Sequence, residues 1–474
     1  MEMMESMRRR LDETLQESLA GGAVAGAVIG VSVGGEQFTL ARGTANLNTD
    51  QPFTEDTAWL LGSVGKVLTT TMLLQLVERG SVDLDAPVRR YVPEFSLRDP
   101  AAADRITVRM LVNHTNGIDA DGLVPSAVRG RDAHREYVEH LRNVNVLFEP
   151  GTCIHYSNPG FVLAGRIIEE QTGLPYEVAI RRDLFEPCGM RDATAVQTQA
   201  FLRRTAVGAF FDMETMALRA TSLFSVPESI GAAGGTPIVT VADMLAFGRM
   251  HLNAGVAQNG TRVIEADSVK AMLTPTFDLG IPQAPPIGLG WWLEPIAGTT
   301  AAFHGGTSPG GNSAFTILPE YDTVITSFGT GPANVLLQDQ LHIAVIEEVT
   351  GRAVTPPFDG PPERPGPEPA GEYGSFQSRV VVEVDDDALR VTNHFEPYDD
   401  DHRATYEACG VPAGAAPPVT YRSLAPGLYA PEGLDASVFS GVIGRGALLA
   451  ALPATGDRPA GLHSGLRFTP KRAS

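Results

Sequence analysis

Ser63 and Lys66 are the residues whose types and spacing first indicate chemistry. They stand three positions apart at the start of an apolar stretch that predicts a helix over 63–79, which puts their Cβ atoms roughly 5–6 Å apart on one face. A serine needs a base, and a lysine desolvated among apolar neighbours can lose its proton and act as one. The helix N-terminus would also favour an acyl oxyanion. The chain has only three lysines, which makes the pair more informative; the alternative is a capping serine and a solvated lysine.

Tyr156 and Asn158 form a second candidate element, between a Pro-Gly turn and a helix predicted over 160–172. A tyrosine in this position can relay a proton to a leaving group, and an asparagine can orient the lysine and the substrate carbonyl. The alternative is a loop tyrosine that packs on the surface.

A histidine followed by glycines, within residues 303–307, is the third candidate element, and the runs after it alternate as strands do. Gly306 would let a substrate backbone lie close against such a strand. The backbone N–H groups of Thr307 and Ser63 are candidates for the two donors of an oxyanion hole. A purely structural role is the alternative for His304.

Two adjacent tryptophans, Trp291 and Trp292, precede the histidine strand. Neighbouring strand residues point to opposite faces, so at most one of them can line an acyl pocket while the other packs in the core. We expect Trp292 in the pocket, with core packing of both as the alternative. His114 and Asn116 are expected to be structural.

Taken in order, these elements resemble those of the serine β-lactamase and penicillin-binding-protein superfamily, specifically its class C and esterase-like branch. The resemblance covers about residues 20–350. It extends to the segment 106–117, which looks like the one that follows the family's nucleophile helix, and to 233–243, which is similar to the family's Gly-Gly turn leading into a helix.

This resemblance implies a role for each candidate residue. Ser63 would be the nucleophile, Lys66 its activating base, and Tyr156 the general acid and base for leaving and incoming groups. Asn158 would position the substrate. His304 would occupy the place of the lysine in the family's K-T-G element.

The histidine is a departure from the family pattern. The strand lysine of β-lactamases and DD-peptidases attracts the substrate carboxylate, whereas His304 is shorter and mostly neutral near pH 7. Variants with histidine at this position resemble the family's esterases, amidases, D-aminopeptidases and thioesterase-like peptide cyclases. We recognise no secretion signal, which favours the same group because peptidoglycan and β-lactams are met outside the cytoplasm.

The composition of the 474 residues, with 43% hydrophobic and 19% charged, indicates a globular chain with a sizeable core. A formal net charge of -20 repels nucleic-acid phosphates and anionic membranes, so neither is an expected partner. Three widely spaced cysteines make neither a disulfide framework nor a metal pattern, and no metal or cofactor is expected. The apolar run 21–34 is too short to cross a bilayer, so we expect a cytoplasmic protein.

The predicted elements favour an α/β (α+β) β-lactamase/transpeptidase-like fold, with an antiparallel sheet flanked by helices and an all-helical region. Apolar periodicity predicts helices over 3–19, 63–79, 160–172, 240–253 and 336–350, and strands over 21–34, 37–41, 312–318 and 323–328. A Pro-rich stretch then leads to alternating runs that predict a small, lipocalin-like antiparallel β-barrel. We therefore expect a serine catalytic domain (1–352), a Pro-rich linker (353–370) and a barrel domain (371–474).

The sequence thus predicts an enzyme that forms an acyl-enzyme on Ser63 from an ester, amide or thioester of a small molecule or peptide. The acyl group then passes to water, or to an amine or alcohol as in the transacylases and cyclases of antibiotic biosynthesis. Hydrolysis of β-lactams or cell-wall peptides and a non-catalytic sensor are further alternatives, the last disfavoured by the intact set of Ser63, Lys66 and Tyr156. The barrel domain either narrows the cleft of the catalytic domain, or it only covers apolar surface or supports a dimer. The acyl donor and the oligomeric state stay open.

Overall fold

The protein is described here by a computed structural model that covers residues 2–120, 129–212, 214–358, 369–376, 378–385, 388–408 and 412–472. It contains two large antiparallel sheets, each with its own hydrophobic core. The first sheet and its helices occupy the chain as far as Thr350, and the second sheet begins at Gly371.

The first sheet has seven strands, all paired antiparallel. In spatial order they are Gln51–Pro52, Glu36–Asn46, Gly26–Val33, Thr323–Thr330, Gly311–Leu318, Thr299–Ser308 and Trp292–Ile296. The predicted turn between the first two long strands is present, because Gly34 and Gly35 adopt φ values of 57° and 88° that suit glycine. The pairing of Gly26–Val33 with Thr323–Thr330 joins this hairpin to the histidine strand and its neighbours.

Helices cover both faces of the first sheet. Glu2–Ala20 packs with Asn334–Thr350 on one face, where Met7, Leu11 and Leu15 are buried at helical spacing. Val241–Leu252 packs on the opposite face. This arrangement confirms the predicted layers.

A helical region completes the first core, with Gly65–Glu78 buried along nearly its whole length. Its helix Asn158–Thr172 ends at Gly173, which has φ 72° and forms a left-handed cap. The other helices described in this half are Pro100–Arg105, Val108–Val112, Arg131–His140, Tyr176–Ile180, Glu186–Cys188 and Ala266–Met272. Two short strand pairs, Trp59–Leu60 with Ile238–Val239 and Ala209–Phe211 with Leu218–Ala220, complete it.

The second sheet is a nearly closed antiparallel barrel. Its main path runs through Gly371–Gly374, Ser378–Asp385, Ala388–Phe395, Val419–Ala425, Leu428–Pro431, Leu449–Leu452, Gly461–Ser464 and Arg467–Pro470, with Gly414–Ala415 paired beside the third of these. A bridge between Tyr373 and Lys471 brings the last strand back to the first. The helices Asp400–Ala408 and Val442–Arg445 lie in the connections between strands. The predicted barrel is therefore present.

Several boundaries differ from the sequence prediction, and one lies outside the described residues. The strand predicted over 21–34 begins only at Gly26, because Gly21 and Gly22 form a turn after the first helix. The predicted helix over 63–79 begins at Gly65, because Gly62–Val64 form a tighter 3₁₀ turn in front of it. Residues 359–368 of the predicted linker lie outside the described residues, so the division of the chain at 353–370 stays our proposal. Among the described residues, no helix has the length and apolarity needed to cross a membrane.

Candidate active site

Ser63 lies on the 3₁₀ turn and is half-buried at a cavity, while Lys66 is fully buried one helical turn further on. The helix N-cap is Val64, so Ser63 does not cap the helix. Lys66 Nζ lies 3.2 Å from Ser63 Oγ. The hydroxyl and the amine are adjacent, as their spacing predicts, and the alternative of a solvated lysine is wrong.

Two other acceptors fix the Lys66 amine. Its Nζ donates to Asn158 Oδ1 at 2.8 Å and to the Ala233 carbonyl at 2.7 Å. Gly234 brings that carbonyl close because it adopts φ 105° and lies so near the nucleophile turn that any Cβ would collide with Gly62 O. The Gly-Gly turn is therefore part of the framework that holds the amine.

Tyr156 lies beside Lys66, on the segment that leads into the helix Asn158–Thr172. Ser157 caps this helix, since its Oγ accepts the Gly160 N–H at 3.1 Å. Lys66 Nζ lies 4.7 Å from the centroid of the Tyr156 ring, and the tyrosine is 7% exposed. The cap thus fixes the backbone that presents the tyrosine to the amine.

His114 supports the tyrosine from behind. Its ring stacks on Tyr156 and on Trp292, with centroids 4.6 Å and 5.5 Å away. Its Nδ1 accepts the Ser157 N–H at 3.0 Å. Burial holds the pKa of His114 well below 6.5, which keeps the ring neutral and able to accept this bond. The structural role expected for His114 is therefore that of a support for the Tyr156 ring.

The histidine strand, Thr299–Ser308, touches the nucleophile turn backbone to backbone. A Cβ built on Gly62 would lie 2.8 Å from Thr307 N, and one on Gly306 would lie 3.1 Å from Ser63 N. Glycine at both positions permits the contact. The backbone nitrogens of Ser63 and Thr307 are therefore neighbours, as an oxyanion hole requires.

His304 lines the cavity and is 2% exposed. Its Nδ1 donates to the Gly305 carbonyl at 2.7 Å, and among the described residues its buried Nε2 has no hydrogen-bond partner. Burial, and after it the charge of Lys66, lower the pKa of His304 to about 3. The ring is neutral at physiological pH and cannot attract a carboxylate by charge.

The two tryptophans separate as strand geometry predicts. Trp292 lines the cavity. Trp291 packs in the first core, where its ring centroid lies 5.3 Å from that of Phe315.

All three candidate elements open onto one cavity of about 500 Å³. Every sequence-predicted site residue lines it except Lys66, which reaches Ser63 from below the surface. Its apolar lining includes Val226, Pro227 and Ile230 from the first half of the chain. The second sheet and its connections add Val442, Ile443, Gly446, Gly465, Leu466 and Arg467.

The last hairpin of the barrel binds directly to the tyrosine segment. Leu466 O accepts the Tyr156 N–H at 2.8 Å, and the Phe468 N–H donates to His155 Nδ1 at 3.1 Å. Leu466 adopts φ 66°, a strained value for a side chain other than glycine, which indicates that its surroundings hold it in place. Arg467 Cζ lies 5.0 Å from the Tyr156 ring centroid. Sequence reasoning missed these residues, because no local pattern marks a contact between positions 313 apart.

Comparison with known proteins agrees with this geometry. A family model described as Beta-lactamase matches residues 11–343. Penicillin-binding protein 4 of Amycolatopsis lactamdurans is 31% identical over 340 residues, which are 71% of this chain and 88% of the relative. The D-amino acid amidase from Ochrobactrum anthropi SV3, solved with L-phenylalanine amide, superposes with a TM-score of 0.60 and 25% identity over 73% of this chain and 98% of its own. The crystal structure of SurE superposes with a TM-score of 0.71 over 99% of this chain and 100% of its own; at 21% identity this likeness concerns the fold, and it includes the barrel.

Proposed function

The chain belongs to the beta-lactamase family, whose members similar to it are serine hydrolases, and on that premise we propose that it is a serine acyl-transfer enzyme with Ser63 as its nucleophile. The observation that carries the proposal is the convergence of Ser63, Lys66, Asn158 and Tyr156 at one cavity. The intact set of Ser63, Lys66 and Tyr156 argues against a non-catalytic sensor, which could lose the base without losing its function.

Acylation follows from this arrangement. Lys66 in its neutral form takes the proton of Ser63, and Oγ attacks the carbonyl carbon of an ester, amide or thioester. The N–H groups of Ser63 and Thr307 stabilise the resulting oxyanion. When the tetrahedral intermediate collapses, Tyr156 donates a proton to the leaving group and regains one from Lys66. The products are an acyl-Ser63 ester and a free alcohol, amine or thiol.

Deacylation runs the same proton path in reverse. An acceptor enters on the Tyr156 side and attacks the acyl carbon; as it attacks, Tyr156 passes its own proton to the neutral Lys66 amine and takes the proton of the acceptor. Ser63 Oγ then leaves with the proton that Lys66 has received. Asn158 holds the lysine amine in both half-reactions through its bond to Nζ. No step calls on a cofactor.

The cavity favours neutral acyl substrates over β-lactams. His304 is uncharged where relatives that bind a substrate carboxylate carry a lysine, and Trp292, Phe303 and Ile230 give the cavity an apolar lining. The similar D-amino acid amidase was solved with an amino acid amide, which agrees with an amide or ester as substrate. We therefore rank esters, amides and thioesters of small molecules or peptides first.

The test is detection of the acyl-enzyme. The full-length protein is mixed with p-nitrophenyl acetate, butyrate and octanoate, and its intact mass is followed before peptide mapping. An acyl adduct on Ser63, present in the exposed-serine control Ser81→Ala and absent in Ser63→Ala, supports the proposal. Release of p-nitrophenol at equal rates by the wild type and Ser63→Ala would contradict it.

Transfer to an amine or alcohol is the second candidate, and one observation favours it: the last barrel hairpin lines the cavity next to Tyr156, which limits the access of water to that side. A transferase should divert product from acid to amide at millimolar concentrations of a good amine, far below the molarity of water. The measurement is the acid-to-amide ratio against amine concentration. A ratio that does not respond to the amine leaves a plain hydrolase.

A further inference from the structure

Val442 and Ile443 line the cavity although they belong to a connection of the second sheet. Both are half-buried, and both pack against the apolar cluster that contains Tyr156, Trp292 and Phe303. Their side chains therefore extend the apolar surface beside Tyr156 into the cavity.

These residues lie on the four-residue helix Val442–Arg445, and residues of the first sheet and its helices fix the position of this helix. Asp339 accepts the N–H of Ile443 at 3.3 Å and the N–H of Gly444 at 2.7 Å. Gly441 lies so close that any Cβ there would collide with the Asp339 carboxylate. The helix is thus docked through its backbone, whatever side chains it presents to the cavity.

Arg445 anchors the other end of the helix. Its guanidinium is 1% exposed, with Nη2 at 2.6 Å from Glu294 Oε2 and Nε donating to Pro282 O at 2.8 Å. Glu294 follows Trp292 by two residues on one strand, which puts the two side chains on the same face. The strand that presents Trp292 to the cavity therefore also fixes the helix that presents Ile443.

A buried ion pair adds little net stability, because desolvation of both charges offsets most of their attraction. Apolar side chains of similar volume would join the two surfaces at least as firmly. What Arg445 adds is direction, because its guanidinium pairs with Glu294 while its Nε and Nη1 donate to the carbonyls of Pro282 and Ser440 at 2.8 Å and 3.1 Å. Because the Arg445–Glu294 pair lies beneath the helix that presents Val442 and Ile443 to the cavity, we infer that the position of these two side chains is important for function.

We propose that Ile443 and Val442 are specificity-determining residues that contact the hydrocarbon part of the leaving group or acceptor, and that Asp339 and Arg445 are positioning residues that hold them in place. We assign the two residues to the leaving-group and acceptor side of the cavity because they pack against the apolar cluster that contains Tyr156. In the proposed mechanism Tyr156 exchanges protons with the leaving and incoming groups. The inference therefore rests on the proposed function. It names the substrate class: alcohols, thiols or amines with aliphatic or aromatic side chains, in preference to small polar ones.

Two series of esters test the assignment through kcat/KM, measured by titration of the released acid. Ethyl, n-butyl and n-hexyl butyrate vary the leaving alcohol, whereas ethyl acetate, butyrate and hexanoate vary the acyl group. Each methylene that the wall buries should raise kcat/KM about fourfold in the wild type. Ile443→Ala should lower the hexyl-to-ethyl ratio of the alcohol series at least about fourfold and leave the acyl series unchanged. Val226→Ala, a matched truncation at a cavity residue outside the Tyr156 cluster, should preserve the alcohol series.

The positioning role has its own readout. Asp339→Ala removes the two carboxylate oxygens that accept the backbone N–H groups of the helix, without altering a cavity side chain. It should weaken the dependence of kcat/KM on the length of the leaving alcohol. Asp339→Asn, which keeps one acceptor oxygen, should restore part of that dependence. If Asp339 had a purely structural role, Asp339→Ala would instead lower kcat/KM for all esters by one common factor. Ile443→Val, which removes one methylene, serves if Ile443→Ala does not fold. Wild-type turnover with a hexyl-to-ethyl ratio unaltered by either Ile443 variant overturns the inference, whereas a wild type that forms no acyl-Ser63 overturns the proposed function instead.

Discussion

The guanidinium of Arg467 lies over the ring of Tyr156, with Cζ 5.0 Å from the ring centroid, and Lys66 Nζ lies 4.7 Å from the same centroid. The two side chains come from distant parts of the chain, one from the nucleophile helix and one from the last strand of the barrel. Because Arg467 also lines the cavity, an anionic group on an incoming acceptor would meet a positive charge beside the tyrosine.

We therefore expect Arg467 to favour acceptors that carry a carboxylate. With an acyl group loaded from a p-nitrophenyl ester, phenylalanine should compete with water better than phenylalaninamide does. Arg467→Gln should remove this preference, a change of no more than about fivefold because an exposed guanidinium is screened by solvent. Added salt should weaken the wild-type preference in the same direction. Equal use of both acceptors by the wild type would contradict this prediction.

Ser63 and Lys66 should behave as one unit. Ser63→Ala and Lys66→Ala should each lower kcat on the order of 10⁴-fold or more, and the double variant should be no worse than either single one. Circular dichroism and thermal unfolding provide the control for folding. Activity within tenfold of the wild type in either single variant would remove the assignment of the pair.

His304 should determine how poorly penicillins are used. The neutral ring gives a penicillin carboxylate no ionic partner, so benzylpenicillin should acylate the wild type slowly. His304→Lys should raise its acylation rate about tenfold to a hundredfold, in line with a charge-assisted hydrogen bond of about 1.5–3 kcal/mol. Stopped-flow absorbance of the β-lactam ring measures the rate. Efficient hydrolysis of benzylpenicillin by the unmodified enzyme would reverse our ranking of substrates.

Asp339 should make stability depend on pH. Burial raises its pKa from 3.8 to about 6, against the opposing effects of the Gly444 and Ile443 N–H groups and Arg445. Between these two values the folded chain binds more protons than the unfolded chain does, so the contribution of Asp339 to stability is full below pH 4 and is lost as pH rises through 6. The difference in unfolding free energy between wild type and Asp339→Asn should shift by roughly 3 kcal/mol across this window. Urea titrations at pH 4 and pH 7 measure it, and an unchanged difference would contradict the raised pKa.

The sequence predicted those parts of the site that depend on local spacing. Ser63 and Lys66 are neighbours because residues three apart come together across the 3₁₀ turn and the first turn of the helix. Trp291 and Trp292 separate because neighbouring side chains of an extended backbone point to opposite sides. The fold class followed from the periodicity of its helices and strands and from the resemblance. For these elements, the residues that carry the chemical pattern are close in sequence, so local backbone geometry alone determines how they lie relative to one another.

The cavity residues that come from the second sheet and its connections could not be predicted in this way. Val442 and Ile443 lie on a helix of four residues, which is too short for any periodicity to mark it. Leu466 and Arg467 lie at a hairpin turn that carries no motif, and only the folded barrel brings them to Tyr156. The structural role of His114 is expected from the sequence, but a lone histidine gives no sign of the ring that it stacks on.

The bond between Tyr156 and Leu466 has a consequence for the order of events during synthesis. Domains of a growing chain generally fold from the N-terminus onward. The first sheet and its helices can therefore assemble while the hairpin that completes the cavity has still to be made, since the neighbouring contact of His155 with Phe468 joins positions 313 apart. The nucleophile and its base would then exist before the site that selects their acceptor, and selectivity would be the last property that a newly made molecule acquires.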